Sequence, residues 1–228
     1  MSMTININDK KYEIPERLTR EQYAKAIQFD WHETKYYPMI MAQLTGAPIN
    51  LLLKSKKQAM YLGMALLVKS MNQRTECEML DLDKITFGQF VDLDVYLTNG
   101  IEQHFNDIAN ILCPRAEWAD EIMWAIDQYA SFRMYTLRQY SVLFGLNEKL
   151  TIDELEDIDE KDRQHNARSW YKIIVGLANG DLLKIDEVTQ QPLKKTLNFM
   201  SLQKEQQLEE NQRKLKERRQ YDLQRNSR

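Results

Sequence analysis

Backbone breakers are scarce in this chain: it has only 7 Gly and 5 Pro in 228 residues. A sandwich or barrel of many short strands needs a turn about every 8–12 residues, and turns draw on these two residue types. The supply is too small for that, so long helices are the expectation. Gly46, Gly100, Gly145 and Gly180 fall between stretches of helical periodicity, whereas Gly63, Gly88 and Gly176 fall inside them. Pro15, Pro48, Pro114 and Pro192 sit at boundaries, as a residue that cannot donate a backbone hydrogen bond should. The predicted fold class is mainly α, a helical bundle with a small N-terminal β-hairpin and a long C-terminal helix.

The hairpin is read from alternation. Ile5 and Ile7, then Tyr12 and Ile14, are spaced two apart with Asn8-Asp9-Lys10-Lys11 between. Two such strands are marginal alone and must dock on a helical body.

Helix starts are marked by a thrice-used signature. Leu18-Thr19-x-x-Gln22-Tyr23, Ile85-Thr86-x-x-Gln89-Phe90 and Leu150-Thr151-x-x-Glu154-Leu155 each place a Thr N-cap three residues before Gln or Glu. The apolar residues before the cap and at the fourth helical position form a hydrophobic staple. The three helices share no sequence beyond their caps, so these are independent starts rather than a repeat. Helices are predicted over about 19–30, 38–44, 55–72, 86–98, 101–112, 115–144 and from Asp162 or Gln164 to 178. Asn50 is a candidate cap for a short turn over 49–54, and 182–188 reads as a short extended or irregular connector. Pro192 opens a last helix with Leu193, Leu197 and Met200 as its buried stripe. Gly63 and Ala59 would let another helix come close.

Charge divides the chain further. Residues 147–162 hold eight acids and two bases. The stretch 147–163 reads as an acidic linker or short helix between a hairpin-plus-helical body over 1–146 and a C-terminal helical section over 164–228. After Leu202 the sequence is almost wholly polar, and 201–228 carries eight bases and five acids. Leu208 and Leu215 lie seven apart there, too few to sustain a coiled coil. With Arg213, Lys214, Arg218 and Arg219 they are the candidate partner-binding residues of an extended tail helix.

Catalytic motifs are missing. The sequence holds no GxGxxG, GxxxxGK[ST] or GxSxG pattern. Asp92 and Asp94 would share a proton or metal only in a strand, because on a helix residues two apart point about 200° apart. Glu76, Glu78, Asp81 and Asp83 lack a calcium-loop pattern and read as a solvated connector. His104 lies on an apolar helix face and reads as a core histidine. Cys77 and Cys113 form no CxxC pair, so no zinc site, cofactor or metal is expected. They are compatible with a disulfide or with free thiols, and a reducing cytoplasm favours thiols. The chain is not expected to be an enzyme.

The longest apolar run, 59–68, is too short for a bilayer span of about 20 residues. The opening residues lack the apolar core of a secretory signal. No membrane association is expected.

The residues also carry a family resemblance. The hairpin ending in Tyr12-Glu13-Ile14-Pro15, followed by Leu18-Thr19-x-x-Gln22-Tyr23, resembles tail assembly chaperones of tailed bacteriophages. It is similar as well to the related baseplate-hub assembly proteins of contractile-tailed phages. Leu44-Thr45-Gly46 fits the same pattern. So does the stretch from Thr86-Phe87-Gly88-Gln89-Phe90 through Val91-Asp92-Leu93-Asp94-Val95-Tyr96-Leu97 to Ile111-Leu112-Cys113-Pro114. The resemblance covers the first half of the chain. It implies a non-enzymatic morphogenesis protein whose partners are other phage tail or baseplate proteins, with self-association compatible. Its expected place is the host cytoplasm or the virion itself. The 11 Met residues suit adaptable contacts with a partner.

An alternative from another class is a nucleic-acid-associated regulator. Residues 50–74 hold Lys54, Lys56, Lys57, Lys69 and Arg74 and no acid, and the tail is basic. The formal net charge of -3 weighs against it.

Overall fold

Two antiparallel strands lie at the N-terminal end, and the other regular elements among the described residues are helical. The computed structural model describes residues 3–7, 10–144 and 160–226. The third capping box, the acidic stretch up to 159 and the expected boundary at 146–147 lie outside them. The chain divides into two compact units, residues 1–82 with 92–131 and residues 83–91 with 132–228.

In the first unit, β1 (Met3–Ile7) pairs with β2 (Lys10–Ile14) in antiparallel register, Ile5 opposite Tyr12 and Ile7 opposite Lys10. Ile5, Ile7 and Ile14 are buried while the alternate residues Thr4, Asn6 and Glu13 are exposed. One face of the hairpin therefore lies on helices, as its marginal size requires.

Helix α1 (Arg20–Ala26) starts at the expected capping box. The Gln22 backbone N–H donates to Thr19 Oγ1 at 3.2 Å, and the Thr19 N–H donates to Gln22 Oε1 at 2.9 Å. The staple residues Leu18 and Tyr23 are both buried. The helix ends earlier than its sequence suggests, at Ala26 rather than near 30. The Trp31 indole N–H donates to the Ala26 carbonyl at 2.9 Å, so the chain turns back there instead of continuing the ladder.

Helix α2 (Tyr37–Thr45) has Pro38 in its first turn and stops at Gly46, whose φ of 69° is the left-handed conformation that favours glycine. Helix α3 (Ile49–Leu53) is capped by Pro48, so Asn50 lies inside it and is not its cap. Helix α4 (Lys57–Met71) packs its Gly63 under α2. A Cβ there would stand 2.6 Å from Met41 Cε, and Ile5 of the hairpin closes the same spot. The close approach expected of Gly63 is thus made by a methionine side chain.

Helix α6 (Ile101–Leu112) buries Phe105, Ile108 and Leu112. His104 sits at the margin of that face, half-buried, stacked on Tyr96 at 4.7 Å with Asp107 at 3.4 Å. Helix α7 (Ala119–Gln139) begins four residues later than periodicity predicts. Residues just before it are engaged elsewhere: Thr19 and Trp118 face each other in an antiparallel bridge. The Arg20 N–H donates to the Glu117 carbonyl and the Ala119 N–H to the Leu18 carbonyl, each at 2.9 Å.

An ion-pair network holds the same corner. Asp120, with its side chain 3% exposed, accepts from Arg17 Nε and Nη2 at about 3 Å and from the Thr75 hydroxyl. The Arg17 guanidinium also lies 4.7 Å above the Trp118 ring and reaches Glu121. Both acids are in the first turn of α7, where the helix dipole favours them.

The second unit repeats this corner with different residues. The first turn of α5 (Phe87–Asn99) starts from Thr86, whose hydroxyl accepts from Gln89 N–H at 3.2 Å while the Thr86 N–H donates to Gln89 Oε1 at 3.0 Å. Thr86 faces Pro192 in an antiparallel bridge just before α11 (Leu193–Asn226). The Phe87 N–H donates to the Gln191 carbonyl at 2.8 Å and the Leu193 N–H to the Ile85 carbonyl at 3.0 Å.

The core of this unit is aromatic. Trp170 of α9 (Glu160–Leu177) meets Phe87, Phe90 and Phe144 edge to face, with centroids 5.7–5.9 Å apart. Phe144 belongs to α8 (Ser141–Phe144), and Tyr140 just before it donates to Asn198 of α11 at 2.7 Å. The single helix expected over 115–144 is thereby split at Tyr140. Asn179 and Gly180, both left-handed, stop α9 as expected.

Residues 182–188 are not an irregular connector. They form a 3-10 turn, Leu182–Lys184, leading into α10 (Ile185–Thr189). The Asp181 carboxylate accepts from the Leu183 N–H at 3.0 Å and caps the turn, a local signal that apolar spacing does not reveal.

Candidate functional site

Helix α11 changes character along its length. Leu193, Leu197 and Met200 are buried, so its first two turns belong to the core, as their spacing indicates. Residues 205–220 are exposed on every side. At 1.5 Å per residue that stretch is about 24 Å of helix that buries nothing against the other described residues.

Its stability rests on residue type and short-range pairs. Lys214 meets Glu210 at 2.7 Å and Arg213 meets Glu217 at 3.6 Å, both at i,i+4 spacing. Such exposed pairs contribute little and are screened by salt.

The tail residues singled out by sequence separate into two sets. Leu208, Leu215 and Arg219 lie within about 40° of one line along the helix, with Arg218 at its edge. Leu208 and Leu215 are 42% and 51% exposed, so this line is open to a partner. Arg213 points about 140° away from Leu208 and is engaged with Glu217. Lys214 lies to the side and is engaged with Glu210. Phe199 and Leu202, which composition did not mark, are also more than half exposed near the base of this stretch.

The other charged clusters resolve into separate contacts. Asp92 is exposed and Asp94 is 2% exposed on the same helix, opposite fates that arise from their helical spacing. Glu78 meets Arg115 at 3.2 Å, and Asp83 meets Lys194 at 2.6 Å. Among the described residues no three His, Cys, Asp or Glu side chains are grouped to hold a metal. Cys77 and Cys113 are both thiols; burial, then the neighbouring Cys77, pushes the Cys113 thiol up to about 12.

Of the basic run over 54–74, Arg74 is committed internally. Its Nε donates to Asp127 at 2.6 Å and its Nη1 to the carbonyls of Met71 and Gln73. Lys54, Lys56, Lys57 and Lys69 are exposed. No described helix is long and apolar enough to cross a membrane. No protein-family model, curated protein or solved structure matches the chain.

Proposed function

We propose that the protein is a non-enzymatic bacteriophage morphogenesis factor, a tail or baseplate assembly chaperone or a structural component of the particle, working through protein–protein contacts. The observation that carries this reading is the outer part of α11. A helix polar nearly all round, burying nothing from 205 to 220, is marginal by itself. Its exposed Leu208–Leu215 line gives a partner helix something to cover. The resemblance of the hairpin, the Thr19 start and the 86–97 helix to phage assembly proteins supplies the class of partner.

The test is co-purification. Tagged protein expressed with the tail and baseplate proteins of its phage should retain at least one of them, and Leu208→Glu with Leu215→Glu should release it. Retention of none overturns the reading. Mass spectrometry of purified virions then divides the two forms, a chaperone being absent and a structural part present in fixed copy number.

A nucleic-acid role would have to rely on four lysines and the tail arginines, since Arg74 is held by Asp127. It predicts a shift of labelled DNA or RNA at low salt that falls steeply as salt rises.

A further inference from the structure

A second surface lies on the first unit, distant in sequence from the tail helix. On α4, Lys57, Tyr61, Leu62, Ala65, Val68 and Lys69 are all exposed. They fall within about 140° of the helix circumference. Tyr61, Leu62 and Val68 are 51%, 59% and 42% exposed; Lys57 borders Val68 and Tyr61 on one side, and Lys69 lies beside Leu62 on the other. The run over 59–68 is apolar all round the helix, yet only the side bearing Gly63, Met64 and Leu67 is buried. A surface helix normally turns polar on its outer face; this one does so at Lys57, Gln58 and Lys69 but stays apolar on that face over 59–68.

The face ends in a hole. Between α2, α3 and the N-terminal half of α4 is a concavity of about 190 Å3, lined by Tyr37, Leu52, Leu53, Lys57, Met60 and Tyr61, among others. Tyr37 and Tyr61 meet edge to face at 5.8 Å and form part of its wall. Ligand pockets usually run to about 300–1,000 Å3, so a cofactor is poorly served. One large apolar side chain fits, the kind of buried anchor that dominates protein interfaces.

Charge selects the occupant. From 50 to 74 the sequence has no acid, and Lys54, Lys56, Lys57 and Lys69 have no ion pair among the described residues. We infer that this face docks an acidic amphipathic helix of a partner protein. One bulky apolar residue of that helix enters the hole, its apolar stripe covers Leu62 and Val68, and its carboxylates face the lysine margins. Nucleic acid is a worse fit, because Leu62, Ala65 and Val68 occupy much of the face and carry no donor for phosphate, and the four lysines are its only charges. An anionic bilayer has no use for a hole sized to one side chain.

The test uses a labelled amphipathic peptide of about 18 residues, long enough to be helical. It carries Leu at i, i+4 and i+7, one central Phe and Glu on the flanks. A twin peptide carries Lys in place of every Glu. Fluorescence polarisation against the full chain should show saturable binding of the acidic peptide only. Affinity should weaken at least fivefold between low and high salt, as screening of the lysine margin requires. Leu62→Glu should weaken it at least tenfold; so should Lys57→Glu with Lys69→Glu, which leaves the apolar centre intact. Both variants change exposed residues, and an unaltered thermal melt certifies their fold. No saturable binding of the acidic peptide up to about 1 mM, the weak limit of specific contacts, overturns the inference. So does equal binding of the two peptides. Two other outcomes would assign the face elsewhere and also overturn it: binding to phosphatidylglycerol vesicles that Leu62→Glu abolishes, or concentration-dependent self-association that the same change abolishes. Neither depends on the tail helix, so the phage-assembly reading can fail while this one stands.

Discussion

Thr86 faces Pro192 in an antiparallel bridge that ties two helix starts together. The proline has no N–H to offer, and none is needed, because the flanking Phe87 and Leu193 N–H groups make the bonds. Thr86 also caps α5, so its side chain serves the one helix and its backbone position serves both. Thr86→Ala removes the cap hydrogen bond and should destabilise the protein by about 1 kcal/mol. Urea denaturation should show a lower midpoint with an unchanged slope. A variant as stable as the parent would mean that the bridge alone sets the helix start.

The capping boxes at Thr19 and Thr86 were legible because each is complete within four residues. The bridges were not, because Thr19 meets Trp118 and Thr86 meets Pro192 across about a hundred residues of chain. The same distance explains the misplaced start of α7. Periodicity extends the helix back to Arg115, but the Glu117 carbonyl accepts from Arg20 and the Ala119 N–H donates to Leu18, on either side of the Thr19 cap. The apolar run over 59–68 was visible as composition; that half its circumference is unpartnered could only be seen once α2 and the hairpin were placed on the other half. The tail helix was legible from residue type alone, since nothing tertiary competes with propensity there.

Asp120 and Arg17 give a pH-dependent contribution. Burial alone would raise the Asp120 carboxyl, but hydrogen bonds from Arg17 and Thr75 and the Arg17 charge outweigh it and hold it below the usual carboxylate range. A carboxyl lowered on folding adds stability that is present above its unfolded value, about 3.9, and is lost as pH falls through the folded value. Asp120→Asn should cost about 2 kcal/mol at neutral pH. Its stability should also fall less steeply than the parent's below about pH 4. Parallel acid-denaturation curves would show that the pair is electrostatically idle.

Gly88 sets two effects against each other. Alanine is a better helix former by about 1 kcal/mol. Yet a Cβ at Gly88 would stand 2.9 Å from Thr189 Cβ and 3.1 Å from its carbonyl oxygen, and backbone cannot swing aside as a side chain can. Overpacking of this kind costs about 1–3 kcal/mol. Gly88→Ala should therefore be neutral to destabilising, by up to about 2 kcal/mol in thermal or urea unfolding. A clear gain in stability would mean that α10 can move away from α5.

Cys113 should be chemically silent in the folded protein. Its thiol is pushed up to about 12 by burial first and by the adjacent Cys77 second, and the thiolate is the reactive form. Iodoacetamide at about pH 8 should leave Cys113 unmodified in the native state and label it in urea, as read by peptide mass spectrometry. Because the folded value is raised, the contribution to stability is full below the unfolded value of about 8.5 and declines as pH rises toward the folded one. Rapid native labelling would show that the corner around α6 and α7 opens readily.

Leu208 and Leu215 separate function from folding. Each is exposed on a stretch of α11 that buries nothing within the chain, so neither contributes to the core. Alanine is the best helix former, so Leu208→Ala with Leu215→Ala should leave the helix signal in circular dichroism unchanged. Stability should change by less than about 0.5 kcal/mol, as for surface substitutions away from packed features. On the proposed function, co-purification with a tail or baseplate protein should fall sharply, because both leucines of that line within 205–220 are gone. Reduced stability of the isolated protein would place these leucines in a contact within the chain or between copies. Unchanged stability with unchanged partner capture would move the binding site off the tail helix.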